Sequence, residues 1–185
     1  MNRRELIKMI AAATGAAFVG GNVLLAGCTR REPAEEYRFD ATDILLLDEV
    51  AETIIPRTDT PGAKDAQVGQ FMTVMVNDCY TAEDQLVFHR GITQLQDLSK
   101  EAYGAAFMEL TREDRHDLLA QLDREARLHS AGQDGPHYFT MMKQLTLFGF
   151  FTSKPGATEA LRYTAVPGRF DGCIPYTEGD RAWAT

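Results

Sequence analysis

The feature that most constrains this chain is the run PHYFTMMKQLTLFGFF at residues 136–151. Its large apolar side chains fall on nearly every side of a 3.6-residue helix, which leaves no polar face. Such a helix must be covered, either by the other helices of the chain or by these helices together with a second protein. The run is too short, and too interrupted by Lys143 and Gln144, to cross a bilayer. We therefore expect residues 136–151 to be the central helix, with Pro136 in its first turn.

Four amphipathic segments precede this run and can cover it. Their apolar residues recur at helical spacing, which predicts helices at about residues 43–55, 68–79, 81–103 and 111–131. No alternating segment of useful length indicates a strand. The predicted fold class is therefore all-α, a single bundle-like domain of about five helices at residues 42–185, ending in an ordered coil.

Polar and sulfur-containing residues in the first two helices allow further predictions. Thr42 is a plausible N-cap for the first helix, and the acidic side of that helix is interpreted as a solvated face. Cys79 falls on the apolar stripe of the second helix, so we expect it to be buried. In the loop at residues 56–66, Asp59 and Asp65 lack the dense oxygen ligands of an EF-hand, which favours turn-forming side chains over a calcium site.

The C-terminal residues 152–185 combine frequent proline and glycine with aromatic residues, a composition typical of an ordered coil rather than a long helix. We expect its rings to hold this coil against a surface, and a structureless segment of this length is usually functional. The exit of the central helix lies beside it. The residues that we predict to contact a partner are Phe150, Phe151, Tyr163, Phe170, Tyr176 and Trp183.

The N-terminal residues 1–27 resemble an export signal. Arg3 and Arg4 lie in a twin-arginine motif, followed by a moderately apolar run rich in Ala and Gly. Leu-Ala-Gly-Cys at residues 25–28 matches a lipoprotein cleavage box, with Cys28 as the lipidation site and residues 28–41 as a polar tether. A transmembrane anchor, or a plain signal peptide with an incidental cysteine, is the alternative. Since Thr29 is not the aspartate that retains lipoproteins in the inner membrane, we expect a periplasmic protein anchored at the outer membrane.

Charge and cysteine content narrow the possible partners. The chain has a formal charge of −8, and −10 without residues 1–27, which argues against nucleic acid as a partner. With Cys28 assigned to a lipid, Cys79 and Cys173 remain in an oxidising compartment. An internal disulfide, a buried free thiol at Cys79 and an intermolecular bridge from Cys173 all stay open.

We find no motif that indicates a catalytic, cofactor-binding or metal site. The four histidines are scattered, and Glu113-x-x-His116 is a single pair where a di-iron bundle needs two such pairs and two further glutamates. Nucleotide-binding loops, haem attachment sites and nucleophile elbows are missing. Because the twin-arginine route carries proteins that are already folded, we expect this chain to travel with something else.

Two stretches carry a resemblance to a known family. LDEVAETIIPRTDTPGAKD at residues 47–65 resembles the hallmark segment of gluconate 2-dehydrogenase subunit 3, and the ending at residues 149–173 is similar to the family's C-terminal signature. The resemblance implies an all-helical, non-catalytic partner of a flavin-dependent dehydrogenase of the glucose–methanol–choline class. In such complexes FAD belongs to the large subunit, which passes electrons to a cytochrome c. The small subunit carries the twin-arginine signal for both.

Two hypotheses follow from these observations. The first is an accessory subunit, without catalytic residues or a cofactor of its own, that escorts and stabilises a sugar or sugar-acid dehydrogenase. The second is a free-standing periplasmic lipoprotein that binds a ligand or catalyses a reaction. Its site would have to be assembled from scattered residues such as Asp59, Glu113 and His116.

Overall fold

The computed structural model describes residues 38–129, 135–166, 168–170 and 172–184. Within these ranges the chain forms five α-helices, which are α1 Ala41–Ile54, α2 Val68–Cys79, α3 Ala82–Tyr103, α4 Arg112–Leu128 and α5 Tyr138–Thr152. A 3-10 turn, Phe107–Glu109, lies between α3 and α4, and a π-helical turn, Gly156–Ala160, follows α5. The only β pairing in the described ranges is one isolated bridge between Arg162 and Trp183. The all-α prediction is confirmed.

The export motif and the lipidation site lie outside the described residues. Arg3, Arg4 and Cys28, and the tether before residue 38, therefore stay predictions. None of the helices in the described part of the chain combines the length and hydropathy needed to cross a bilayer.

Threonine side chains begin two helices where the sequence predicts them. Thr81 Oγ1 accepts a hydrogen bond from the Asp84 backbone N–H at 3.2 Å, and Thr111 Oγ1 accepts one from the Asp114 N–H at 3.2 Å. Both aspartates also lie in the first helical turn, where a negative charge favours the helix dipole. These local contacts fix the starts of α3 and α4.

The predicted starts of α1 and α5 are each wrong by one or two residues. Asp40, rather than Thr42, caps α1, because its carboxylate accepts from the backbone N–H groups of Thr42 and the next residue at 2.7 and 2.8 Å. His137 caps α5 through its Nδ1, which accepts from the Phe139 N–H at 3.2 Å. Pro136 therefore lies before the helix rather than in its first turn.

Helix α5 lies at the centre of the domain and contacts each of the other four α-helices. Its buried side chains interleave with those of its neighbours, such as Val50, Met72, Leu95 and Leu122. Thr146 is also buried, and its hydroxyl donates to the Met142 carbonyl at 2.8 Å. This buried polar group therefore has a hydrogen-bond partner within α5. The apolar side chains that α5 buries are Tyr138, Phe139, Met141, Met142, Leu145 and Phe150.

Candidate interaction site

The carboxylate of Glu52 organises the loop at residues 56–66. It accepts hydrogen bonds from the backbone N–H groups of Arg57 and Lys64, both at 2.9 Å. Gly62 passes directly over this carboxylate, because a Cβ atom at that position would lie 2.4 Å from Glu52 Oε2. Ala63 next to it is fully buried. The loop is therefore an ordered structure built on one side chain of α1.

Asp65 closes the second half of the same loop. Its Oδ2 accepts the Gly62 backbone N–H at 2.9 Å, and its Oδ1 pairs with the guanidinium group of Arg57. Asp59 Oδ1 accepts from the Thr58 hydroxyl at 3.0 Å. Among the described residues there is no group of three or more His, Cys, Asp or Glu side chains placed to hold a metal ion. The geometry thus supports turn-forming roles for Asp59 and Asp65.

The acidic side of α1 was interpreted from the sequence as a solvated face, and this interpretation is wrong. Glu49 pairs with both Lys64 and Arg115, and Asp48 Oδ1 accepts the Gly69 backbone N–H at 2.8 Å. Burial raises the pKa of the Asp48 carboxyl above its ordinary value, and the hydrogen bond from Gly69 opposes this shift. The carboxylates of α1 therefore hold the loop, the start of α2 and one side chain of α4.

The two stretches that carry the family resemblance lie next to each other. Loop residues 57–61 and Asp65 form one side of an open cleft of about 520 Å³, and Lys154, Pro155 and Glu159 form the other. Acidic and basic side chains both line this cleft. The loop at residues 56–66, hereafter the hallmark loop, and the exit of α5 thus form a single region of the surface.

One stripe of α5 is not covered by the other helices of the chain. Leu147, Phe148 and Phe151, hereafter the α5 stripe, are exposed, and Phe148 keeps 52% of its surface accessible. Phe148 packs edge-on against Phe71 of α2, with 5.7 Å between ring centroids. The Phe71 ring lies so close to Gly149 that a Cβ atom there would come within 2.6 Å of it.

On α2, Val74 lies one turn beyond the partly buried Phe71 and is exposed. Sequence reasoning missed Val74, Leu147 and Phe148 as surface residues. An all-apolar helix gives no clue to which side its neighbours leave open. The glycine at 149, which permits close approach of an aromatic ring from another helix, is the signal that could have indicated it.

Phe150 does not lie on the surface with its neighbour Phe151. Successive residues of a helix point about 100° apart, and Phe150 turns into the core with only 2% of its surface accessible. Its ring contacts that of Phe151 at 5.1 Å between centroids. Phe150 is therefore a core residue in this chain, while a partner contact at Phe151, which is exposed, stays a prediction.

The C-terminal tail displays its rings instead of packing them. Phe170 is 97% exposed, and Tyr163, Tyr176 and Trp183 are exposed as well. The expectation that its rings hold the coil against a surface, which a partner could supply, stays a prediction. Within the chain, backbone pairing ties the coil together, because the Arg162 N–H donates to the Ala182 carbonyl at 2.8 Å and the Ala184 N–H donates to the Arg162 carbonyl at 3.0 Å.

Both cysteines in the described residues are free, exposed thiols, and the structure does not join them. The prediction that Cys79 is buried is wrong, since it is the last residue of α2, where the neighbouring helices no longer cover its side chain. Its Sγ lies 4.0 Å from Met75 Sδ. Disulfide pairing of Cys79 and Cys173, with each other or with a partner, stays a prediction.

His137, at the start of α5, has a structural role, and His129 at the end of α4 lies beside it. His137 Nδ1 accepts the capping hydrogen bond only when the ring is neutral, and the His129 ring lies 5.5 Å away. Burial, and then the charge of His129, lower the pKa of His137. The neutral form that caps α5 is thus the favoured one.

The residues of the alternative, enzymatic hypothesis do not come together. Glu113 and His116 border a shallow cleft of about 390 Å³ near the end of α1, whereas Asp59 borders the cleft by the hallmark loop. His116 Nδ1 lies 3.4 Å from Asp117 Oδ1, and both side chains are largely exposed. Nothing in this geometry favours a shared site for Asp59, Glu113 and His116.

The fold and its surfaces define an all-α chain that displays apolar side chains on the α5 stripe and along the tail. A family model described as gluconate 2-dehydrogenase subunit 3 matches residues 41–168. Because the match covers more than half of the chain, this chain belongs to the gluconate 2-dehydrogenase subunit 3 family, whose members are subunits of a dehydrogenase complex. No curated protein and no solved structure matches it. The matched residues end at 168, before Phe170, Tyr176 and Trp183.

Proposed function

We propose that this chain is a non-catalytic small subunit that binds, stabilises and exports a flavin-dependent dehydrogenase. The observation that carries the proposal is the uncovered α5 stripe, on the most buried helix of a chain from a family of complex subunits. Burying a side chain of the size of Phe or Leu contributes about 1.5–3 kcal/mol. The stripe holds three such side chains, which a partner can cover.

The partner in this proposal is a catalytic subunit of the glucose–methanol–choline class that holds FAD and oxidises a sugar or sugar acid. A cytochrome c subunit would accept its electrons. Arg3 and Arg4 supply the twin-arginine signal for the assembled pair, which crosses the membrane folded, and lipidation at Cys28 holds the pair at the periplasmic face of the outer membrane.

Replacing Phe148 by glutamine tests the docking surface. Phe148→Gln places a polar amide in the middle of the α5 stripe, and we expect it to weaken assembly with the catalytic subunit by about tenfold or more. The measurement is the dissociation constant of the purified subunits. Leu128→Gln is the matched control, because Leu128 is 86% exposed at the end of α4, outside the stripe. Equal losses in both variants, or none in either, would contradict docking at the stripe.

Replacing Arg3 and Arg4 by lysine tests the escort role. The twin-arginine pathway reads the arginine pair, so both this protein and the flavoprotein should stay in the cytoplasm. Fractionation with FAD-dependent dehydrogenase activity as the readout measures the effect. The paired substitution of Arg30 and Arg31 by lysine, in the tether, is the control and should leave export unchanged. Normal export of the flavoprotein with the first pair of substitutions would sink the escort role.

A further inference from the structure

Arg162, near the beginning of the C-terminal coil, contacts residues 182–184 near its end. Besides its two backbone hydrogen bonds with Ala182 and Ala184, Arg162 places its guanidinium carbon 4.1 Å from the centroid of the Trp183 ring. The Nε atom of Arg162 is buried and makes no hydrogen bond within the described residues, and the guanidinium group lies over the indole ring, whose face attracts a cation. We call Arg162 and Trp183, with these backbone bonds, the clasp.

The described residues between 163 and 182, hereafter the tail loop, emerge from the clasp and point their apolar side chains outward. Val166, Phe170 and Tyr176 are all exposed. A turn in which Thr177 and Asp180 exchange hydrogen bonds, both at 3.0 Å, adds local order near the second end. The loop is therefore closed at its base while its rings remain uncovered by the domain.

We infer that the clasp is a positioning device, which presents Phe170 and Tyr176 to an apolar groove on the dehydrogenase subunit. This inference rests on the proposed function. Phe170, at 97%, is the most exposed of the large apolar side chains in the described residues, and Val166 and Tyr176 of the same loop are exposed as well. Closing the loop at its base removes conformational freedom before binding, so less is lost when the rings enter the groove.

The catalytic subunit is a better occupant than a second copy of this chain. The chain is acidic, with a net charge of −8, and two copies would repel each other. The family match supports the catalytic subunit as the occupant, because members of this family are subunits of a dehydrogenase complex.

The test is a double-mutant cycle on binding of the full-length subunit to the catalytic subunit. Trp183→Ala opens the clasp, and we expect about tenfold weaker binding, or 1.4 kcal/mol. Phe170→Ala removes the ring that the clasp presents. If Trp183 acts through Phe170, the double variant loses less affinity than the product of the two single losses. Multiplicative losses would mean that Trp183 contacts the partner itself, and would overturn the positioning role.

A second pair of variants separates the clasp from general damage to the fold. Arg162→Ala should resemble Trp183→Ala, whereas Arg162→Lys keeps a cation over the ring and should recover most of the affinity. Amide exchange at Arg162 and Ala184 should accelerate in Trp183→Ala, with the melting temperature of the helical domain unchanged. Leu128→Ala, at an exposed site on α4, is the control.

Three outcomes would count against parts of this argument. Unchanged binding in Trp183→Ala overturns the clasp as a positioning device. If Trp183→Ala or Phe170→Ala abolishes self-association of this chain but leaves binding to the catalytic subunit intact, the tail loop contacts a second copy, and the chosen occupant is overturned. A wild-type chain that binds no catalytic subunit overturns the proposed function itself, which distinguishes that failure from failure of the clasp.

Discussion

The loop at residues 56–66 and the tail loop are both irregular and rich in proline and glycine, but they differ in how they are held and in whether they bury side chains. The first is held by the carboxylates of Glu52 and Asp65 and buries Ala63 completely, whereas the second is joined at its base and turns Phe170 into solvent. Local order in an irregular segment therefore depends on which acceptors lie beside it, and aromatic content does not show where the rings will pack.

The two regions should contribute differently, the first to the stability of the domain and the second to binding of a partner. The carboxylates of α1 hold the loop through Lys64, the start of α2 through Gly69 and α4 through Arg115, so this region holds the helical domain together. The tail loop follows the last helix, and the domain's own core does not use its rings. Substitutions in the first region should therefore change the free energy of unfolding, and those in the second should change binding.

Glu52→Ala is expected to give the largest effect on the fold. It removes a charged acceptor from two backbone N–H groups and leaves the space under Gly62 empty, which should lower the free energy of unfolding by about 2 kcal/mol. The corresponding fall in melting temperature is about 4–8 °C. Chemical denaturation of the isolated subunit measures it.

Phe170→Ala, in the tail loop, is the matched test of the other region. We expect its unfolding free energy to stay within about 0.5 kcal/mol of the wild type, because the ring it removes is already in solvent. The comparison between the two regions fails if Phe170→Ala destabilises the domain as much as Glu52→Ala does.

Most of the fold could be predicted because its signals are local. The helical spacing of apolar residues and the capping threonines at 81 and 111 depend only on the chain near them, and the observed helices begin and end close to the expected residues. The central position of α5 also followed, since a helix that is apolar all round needs cover on most sides.

The errors concern contacts between distant residues. The acidic side of α1 was interpreted as solvated because nothing near it in the sequence shows that Lys64 and Arg115 will approach Glu49. The positions of Phe148 and Phe150 could not be told apart, since their exposure depends on which sides of α5 the other helices occupy. Cys79 has the correct spacing for the core but lies at the last turn, beyond its neighbours.

The smallest effect is expected from the ionisation of Asp48, whose carboxylate binds the start of α2. Burial is the main cause that raises the pKa of Asp48 above 3.8, and Glu49 and Glu52 add to it, while the Gly69 hydrogen bond and Lys64 oppose it. The folded protein therefore binds this proton more readily than the unfolded chain. Between the unfolded and the folded pKa, stability falls as the pH rises, and above the folded pKa the ionised carboxylate remains a net cost to folding.

Asp48→Asn removes this charge but keeps an oxygen that can accept from the Gly69 N–H. We expect the variant to be more stable than the wild type near pH 7, by less than about 1 kcal/mol, with the difference vanishing as the pH falls below 3.8. Urea denaturation across this range measures the difference, with Asp97→Asn on the exposed side of α3 as the control for loss of one negative charge. A variant that is less stable than the wild type near pH 7, with the loss disappearing below pH 3.8, would show that the hydrogen bond to α2 needs the charge. In that case the partly buried carboxylate would stabilise its contact with α2 more than its desolvation opposes it.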